Sequence, residues 1–132
     1  MDAATRDLVR QRASDRCEYC RLHQEHSGLR HHTEHIMAKQ HGGSDGPDNL
    51  ALACHRCNLH KVTNLAGIDP ATGQVTPIFH PLRNQWSDHF RFEGARIDGI
   101  SPVGRATVRV LNMNDARRLE LRTELLKRGE LA

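Results

Sequence analysis

Aromatic residues and long apolar segments are scarce in this sequence. Its 132 residues include one Trp, one Tyr and three Phe, and 37% of them are hydrophobic. This composition predicts a single domain with a thin core, which a bound metal would help to stabilise. No apolar run approaches the roughly 20 residues that a membrane helix needs, and the first twelve residues contain no apolar segment typical of a signal peptide. We therefore expect a soluble, cytoplasmic protein without a membrane partner.

Neither sign of charge dominates the sequence. Nineteen Lys and Arg residues stand against sixteen Asp and Glu residues, so the formal net charge is only +3. A small positive charge is compatible with a nucleic-acid partner but indicates one only weakly. Histidine, in contrast, is abundant, and most of the ten histidines lie between His23 and His60, beside the four cysteines. Such a segment is expected where metal or proton chemistry takes place.

The four cysteines form two Cys-x-x-Cys pairs, Cys17 with Cys20 and Cys54 with Cys57. In this spacing a tight turn brings both sulfurs to one side, so that each pair supplies two corners of a tetrahedron around Zn²⁺. Disulfides are disfavoured in a chain without a secretion signal, and a redox pair of the thioredoxin type needs only one Cys-x-x-Cys. Free buried cysteines would not be spaced so regularly. We therefore predict a structural Cys₄ zinc site without an open position.

The polar stretch between the cysteine pairs is predicted to form two strands and a long loop. The stretch EHIMAKQHGGSDGPDNL, residues 34–50, is too polar for a core strand and too rich in glycine for one helix. The pattern indicates a strand that ends near Met37, a loop over residues 39–48 and a strand with alternating apolar residues over 49–54. A helix should follow and end near Gly67. A zinc ion bound at both ends of this segment would stabilise it by closing the loop.

Further elements are predicted on both sides of this ββα unit. Residues 4–13 have the pattern of a short amphipathic helix. Residues 75–79 form a candidate strand, and residues 88–101 form a hairpin with Glu93 and Gly94 at its tip.

Two helices are predicted near the C-terminus. Ser101 followed by Pro102 is typical of a helix start, and this helix should end near Asn112. A final helix follows, which Asn114 can cap and Gly129 ends. Its predicted apolar face consists of four leucines, namely Leu119, Leu121, Leu125 and Leu126.

Several short motifs occur in order along residues 17–61. They are the two cysteine pairs, Glu34-His35, Gly42-Gly43, Asp48-Asn49-Leu50, and Asn58 with Lys61 directly after the second cysteine pair. In this order they resemble the HNH nucleases of the His-Me finger, or ββα-metal, superfamily, over about residues 15–65. The segment from 63 to 92 is also similar to the tail of small bacterial HNH proteins.

The resemblance implies an α+β fold with a zinc-stabilised ββα-metal (His-Me finger) core over about residues 15–66. The N-terminal helix would precede this core. A C-terminal extension of a hairpin plus helices would follow it over about residues 67–132. Residues 1–132 would then form a single HNH nuclease domain.

The resemblance also implies a metal-dependent endonuclease that hydrolyses phosphodiester bonds in DNA and leaves 5′-phosphate and 3′-hydroxyl ends. His35 would be the general base, because a histidine can accept a proton from water near neutral pH. Glu34 and Asn58 would hold one catalytic Mg²⁺ or another divalent cation such as Mn²⁺, since such ions prefer oxygen ligands. Asn49, the middle Asn of the family name, would hold the loop and fix the His35 ring by a hydrogen bond. Family members often carry Asp where Glu34 stands and His where Asn58 stands.

DNA is the expected partner, and RNA stays open as a substrate. Lys39, Arg56 and Lys61 are candidate phosphate contacts, because such contacts need only positive charge within reach. A monomer would nick one strand, whereas a homodimer would have two sites; a partner protein is a candidate source of sequence specificity. The alternative is a zinc-stabilised nucleic-acid-binding module without hydrolytic activity, which would have no need of the acid–histidine pair.

Overall fold

The computed structural model describes residues 1–131, which form a mixed architecture of helices and short strands. The helices are α1 (Ala3–Arg12), α2 (His55–Lys61), α3 (Trp86–His89), α4 (Pro102–Val110) and α5 (Ala116–Lys127). The strands are β1 (His32–His35), β2 (Leu50–Ala53), β3 (Ala66–Ile68), β4 (Val75–Pro77), β5 (Phe90–Glu93) and β6 (Arg96–Gly99). They pair in chain order into three separate two-stranded sheets, each antiparallel. The predicted mixture of helices and small sheets is confirmed.

The strands β1 and β2 pair from His32 opposite Ala53 to His35 opposite Leu50, and α2 follows directly. The alternation predicted for β2 is present, but both of its faces are buried. Leu50 and Leu52 pack with Val9 of α1, while Ala51 and Ala53 belong to the cluster that contains the four cysteines. The second strand is therefore enclosed between the N-terminal helix and the cysteine pairs.

Helix α1 fixes the β1–β2 unit through two arginines near its C-terminal end. Arg12 donates hydrogen bonds to the carbonyl oxygens of Pro47 (2.9 Å) and Leu50 (2.5 Å), at the entry of β2. Arg10 donates to the carbonyl oxygen of His31 (3.0 Å), immediately before β1. The N-terminal helix, which the sequence predicted, thus holds the start of each strand.

The helix after β2 is shorter than predicted. It ends at Lys61, because Val62 has a positive φ of 50° and turns the chain away. Gly67, the predicted helix end, instead lies in β3. A Cβ atom at Gly67 would overlap the Val110 side chain of α4, so this glycine permits the close approach of β3 and α4.

Helix α4 begins as predicted, whereas α5 differs in its cap and its buried face. The Ser101 side chain accepts a hydrogen bond from the Gly104 amide (2.9 Å), with Pro102 in the first turn. The α5 cap is Asp115 rather than Asn114, whose side-chain amide instead pairs with both backbone groups of Ile97 (2.9 and 2.8 Å). Only Leu125 of the four predicted leucines is fully buried, and Arg118 and Arg122 share its buried face. The predicted leucine face is therefore wrong in this respect, since α5 contacts the cysteines through Arg118.

The few aromatic residues tie the C-terminal half to the first cysteine pair. Trp86 Nε1 donates a hydrogen bond to the carbonyl oxygen of Tyr19 (2.7 Å), and Tyr19 contacts Phe79 edge to face. Phe90 lies against both Phe79 and Trp86.

None of the helices within residues 1–131 is both long enough and apolar enough to cross a membrane.

A partly buried ion pair joins the end of β3 to α4. Arg105 donates two hydrogen bonds of 2.9 Å each to the carboxylate of Asp69, which also accepts from the Ala71 amide and the Thr72 hydroxyl. The Asp69 side chain is fully buried. Arg105 and these donors hold the pKa of Asp69 well below its ordinary value of 3.8. Since the folded-state pKa is lowered, the stabilisation is present above about pH 4 and is lost as the pH falls further.

Replacing Asp69 by Asn should therefore lower the midpoint of thermal unfolding at pH 7 by several degrees. At pH 3 the two proteins should differ less in their unfolding midpoints, because the carboxylate of wild-type Asp69 is then largely protonated in the unfolded state. Calorimetry of both proteins at the two pH values measures this difference, in which effects common to both proteins cancel. Asp98→Asn is the matched control, since Asp98 lies 3.7 Å from Arg96 at the surface. An equal fall of the unfolding midpoint in Asp69→Asn and Asp98→Asn would contradict the stabilising role of the Asp69–Arg105 pair.

Candidate active site

The four cysteine sulfurs come together in one buried cluster. The four Sγ atoms lie within 4.8 Å of one another, and Cys20 Sγ is 3.7 Å from Cys54 Sγ. A tetrahedron with Zn–S distances of about 2.3 Å has sulfur–sulfur edges of about 3.8 Å. In each pair the amide of the second cysteine donates to the sulfur of the first, at 3.4 Å. Donor type, number and spacing all fit a structural zinc, and the predicted Cys₄ cluster is confirmed.

The cysteine cluster determines the position of both β2 and α2. The Cys54 side chain accepts a hydrogen bond from the Cys57 amide and so caps the first turn of α2. Glu18, between the cysteines of the first pair, binds the backbone of Leu52 through both its amide and its carboxylate, each at 2.8 Å. The first pair is therefore attached to the outer edge of β2, and the second pair begins the helix.

His35 lies at the end of β1 with its side chain 27% exposed. Its Nε2 is 2.8 Å from Asp45 Oδ1, and the other oxygen of Asp45 lies 3.1 Å from Lys39 Nζ. Hydrogen bonds from His35 and Lys39 lower the pKa of Asp45. Asp45 was not among the predicted site residues, because Asp45 and Asp48 of the same loop look alike in sequence and only the folded loop brings Asp45 to the ring.

Asn49 holds the loop between β1 and β2. Its side-chain nitrogen donates to the carbonyl oxygens of Met37 (2.9 Å) and Ser44 (2.8 Å), and its oxygen accepts from the Met37 amide (2.9 Å). The ring of His35, however, is bound by Asp45 and not by Asn49. The prediction that Asn49 fixes this ring directly is therefore wrong: its side chain is fully used in holding the two ends of the loop together.

Two glycines make this loop closure sterically possible. Gly42 has a φ of +87°, a left-handed conformation that favours glycine. A Cβ atom at Gly43 would overlap the carbonyl group of Met37 and lie 2.9 Å from the Asn49 side-chain nitrogen. Only a residue without a Cβ atom therefore fits at position 43, where the Asn49 side chain binds the Met37 backbone.

Glu34 precedes His35 on β1, and because successive strand residues point to opposite faces, its side chain faces the interior. It is 8% exposed. Its Oε1 accepts a hydrogen bond of 2.6 Å from the Tyr19 hydroxyl, and its Oε2 lies 3.4 Å from Lys61 Nζ. Burial raises the pKa of Glu34, against the lowering effect of Lys61 and Tyr19.

Lys61 is fully buried, so its prediction as a nucleic-acid contact is wrong. The residue is 1% exposed. Besides its contact with Glu34, its ammonium group donates to the carbonyl oxygens of His35 (3.2 Å) and Ile36 (2.9 Å). This lysine therefore fastens the end of α2 to the end of β1, and a buried ammonium with these partners has no reach to a phosphate.

Asn58 lies three residues before Lys61, and residues at this spacing share one face of a helix. That face of α2 is the one that contacts β1 through Lys61. Asn58 is half-buried, and within residues 1–131 its side chain makes no hydrogen bond. Its amide oxygen is thus free to coordinate a metal ion, and Asn58 shares the helix face on which Lys61 contacts Glu34.

The other two candidate nucleic-acid contacts lie in different surroundings. Lys39 is 66% exposed and contacts Asp45 beside His35. Arg56 pairs with Asp115, the cap of α5, at 3.2 Å. Lys39 therefore belongs to the rim of the His35 site, whereas Arg56 joins α2 to α5.

The part of the chain that contains the two cysteine pairs and the β1–β2–α2 unit is also similar in sequence to a known protein family. Residues 17–63 match the HNH endonuclease family. The match runs from the first cysteine to just beyond Lys61, about a third of the chain. No curated protein and no solved structure matches the chain. The resemblance expected from the sequence is confirmed for this HNH segment, and it indicates a nuclease-type function with nucleic acid as the substrate.

Replacing Gly43 by Ala should open the loop of the HNH segment without removing the cysteine cluster. The new methyl group would overlap the Met37 carbonyl group and crowd the Asn49 side chain. Overpacking of this kind lowers the stability of the folded protein by about 1–3 kcal/mol. Hydrogen exchange of residues 37–49 should therefore accelerate in Gly43→Ala, while the zinc content stays at the wild-type level. Gly28→Ala is the control, since a Cβ atom there meets nothing within 4 Å. Unchanged exchange in Gly43→Ala would show that the loop does not depend on this contact.

Proposed function

We propose that this protein is a metal-dependent endonuclease that hydrolyses phosphodiester bonds in DNA, with His35 as the general base. The observation that carries the proposal is the His35–Asp45 pair, 2.8 Å apart at the exposed end of β1 in the HNH segment. In this proposal β1, β2 and α2 form the ββα-metal core, and the Cys₄ zinc holds the helix in place beside the strands.

The contact with Asp45 determines which nitrogen of His35 is available for catalysis. With Nε2 donating to the carboxylate, Nδ1 is the nitrogen that can accept a proton from the attacking water. A neighbouring carboxylate also orients the ring and stabilises the imidazolium that forms. Attack of the activated water on phosphorus breaks the bond to the 3′-oxygen, which leaves a 5′-phosphate and, after protonation from solvent, a 3′-hydroxyl.

Glu34 and Asn58 are the proposed ligands of the catalytic cation. Carboxylate and amide oxygens suit Mg²⁺ or Mn²⁺, and Mg²⁺ is commonly bound through one or two carboxylates with several waters retained. When bound, the ion supplies stabilisation of the negative charge on the phosphate and on the leaving oxygen. Glu34 already contacts Tyr19 and Lys61, but a carboxylate has about four lone-pair sites and can accept a further partner. Burial raises the pKa of Glu34 and so opposes the ionised form that a cation requires, whereas the nearby Lys61 acts in the opposite direction and favours it.

The substrate would approach along the loop that carries Lys39. This side chain is exposed and contacts Asp45 beside His35, and phosphate contacts need only positive charge within reach. The buried Lys61 has no part in this contact.

Replacing His35 by Ala should reduce nicking of supercoiled plasmid DNA by about 10²- to 10⁴-fold in Mg²⁺ or Mn²⁺, since a general base contributes on this order. Gel electrophoresis of plasmid over time measures the rate, and single-stranded and double-stranded RNA run as parallel substrates. His41→Ala is the matched control, because His41 is exposed on the same loop. Cleavage by His35→Ala at the wild-type rate, with zinc retained, would remove the assignment. DNA binding without cleavage by the wild-type protein in any divalent ion would favour a binding module instead.

Replacing Asn58 by Ala should raise the Mg²⁺ concentration needed for half-maximal nicking by at least about tenfold, because even residues that only support a metal ligand commonly contribute about 10- to 100-fold to metal affinity. The zinc content should not change, because Cys54 and Cys57 keep their positions. Titration of the nicking rate with Mg²⁺ gives the shift. Asn64→Ala, in the exposed turn after α2, should leave the titration unaltered. An identical Mg²⁺ dependence in Asn58→Ala and wild type would exclude Asn58 as a ligand.

A further inference from the structure

Two arginines of α5 are buried without a carboxylate partner among residues 1–131. Arg118 and Arg122 are 6% and 4% exposed, and no ion pair joins either of them to an acid in this part of the chain. They lie four residues apart and so share one face of the helix. A buried charge is costly unless another charge or several hydrogen bonds compensate it. The groups that compensate these two charges therefore indicate what lies beside them.

Arg118 directs one edge of its guanidinium at the cysteine cluster. Its Nη2 is 2.9 Å from Cys57 Sγ and 4.0 Å from Cys54 Sγ. Its Nη1 donates to the carbonyl oxygens of Leu111 (2.7 Å) and Asn112 (3.3 Å), directly after α4. The planar group therefore joins the second cysteine pair, the end of α4 and α5.

Arg122 has only neutral hydrogen-bond partners. Its Nε donates to the carbonyl oxygen of Ala95 (2.6 Å), and its Nη2 donates to the carbonyl oxygen of Met113 (2.6 Å) and to Asn114 Oδ1 (3.0 Å). These bonds involve its Nε and Nη2 groups and supply no negative charge. Together with Cys20, Cys54 and Arg118, it lines a cavity of about 380 Å³ beside the cluster.

The charges balance if the cysteines are thiolates around a divalent ion. Four thiolates with Zn²⁺ carry a net charge of −2, and the two guanidinium groups carry +2 together. Four neutral thiols would leave both buried arginines without an ion-pair partner among residues 1–131. The balance therefore favours the metal-bound tetrathiolate over a reduced, metal-free cluster.

We propose that Arg118 and Arg122 form the counter-charge of a zinc tetrathiolate, and that Arg118 is a positioning residue for the metal through its hydrogen bond to Cys57. A hydrogen bond to a thiolate withdraws charge from the sulfur, which slows its protonation and its reaction with electrophiles. The C-terminal helix thereby becomes part of the metal centre, although it supplies no ligand. This inference is independent of nuclease activity.

The test follows zinc loss from the zinc-loaded full-length chain to a colorimetric chelator in excess. Arg118→Met, which keeps much of the side-chain volume but no charge or donor, should lose zinc about 10- to 100-fold faster than wild type. Arg117→Met is the matched control, because Arg117 precedes Arg118 on α5 but is exposed; it should release zinc at the wild-type rate. Wild-type zinc loss from a folded Arg118→Met would overturn the proposal.

A second variant covers the case in which Arg118→Met does not fold. Arg118→Lys keeps the charge but loses the second edge that holds Leu111 and Asn112, and it should lose zinc about threefold faster than wild type. With ¹¹³Cd in place of zinc, the cadmium resonance should shift in Arg118→Lys and stay unchanged in Arg117→Lys, because the resonance reports on the sulfur ligands. A wild-type rate together with a wild-type cadmium resonance in Arg118→Lys would equally overturn the proposal.

Discussion

The closure of the chain by four cysteine sulfurs within 4.8 Å of one another is the constraint on which the other contacts depend. The core has few large side chains, so packing alone offers limited stabilisation to the long polar segment between the cysteine pairs. Closing that segment at both ends removes much of the conformational freedom of its unfolded state. Cys54 of the cluster also caps the first turn of α2, and Glu18, between Cys17 and Cys20, pairs with the edge of β2. The position of helix relative to strands therefore follows from the cluster.

Several polar side chains around the cysteine cluster hold backbone groups in place. Lys61 binds the carbonyl groups at the end of β1, Asn49 binds both ends of the loop, and Arg12 binds the entry of β2. Each therefore satisfies backbone groups that the two short strands leave without partners. As a consequence, the backbone at His35 is held from the buried side, while the His35 ring contacts Asp45 on the exposed side.

The features that the sequence predicted correctly are those with a local cause. The cysteine pairs, the glycines of the loop, the Ser101 cap and the antiparallel strands each follow from a few neighbouring residues. The surroundings of Lys61, Asp45 and Arg118 could not be predicted in this way. A lysine or arginine in a polar helix has the same pattern whether it is solvated or buried, and its partners here lie far away in the chain. The error in the predicted face of α5 has this origin: the leucines were visible in the sequence, but the charge of the cluster that attracts the arginines was not.

Because α5 contacts the cysteine cluster, the segment that matches the family differs from the segment that folds together. The family match ends at residue 63, whereas the side chains that surround the cluster come from as far as residue 122. The segment that is recognisable by similarity is thus smaller than the segment that folds as a whole. A recombination event that joined residues 17–63 to a different C-terminal partner would transfer every metal ligand and still omit the cationic side of the centre. The extension and the recognisable segment are therefore expected to be inherited together, and modular exchange would succeed only with a partner that brings a positively charged helix to the same place.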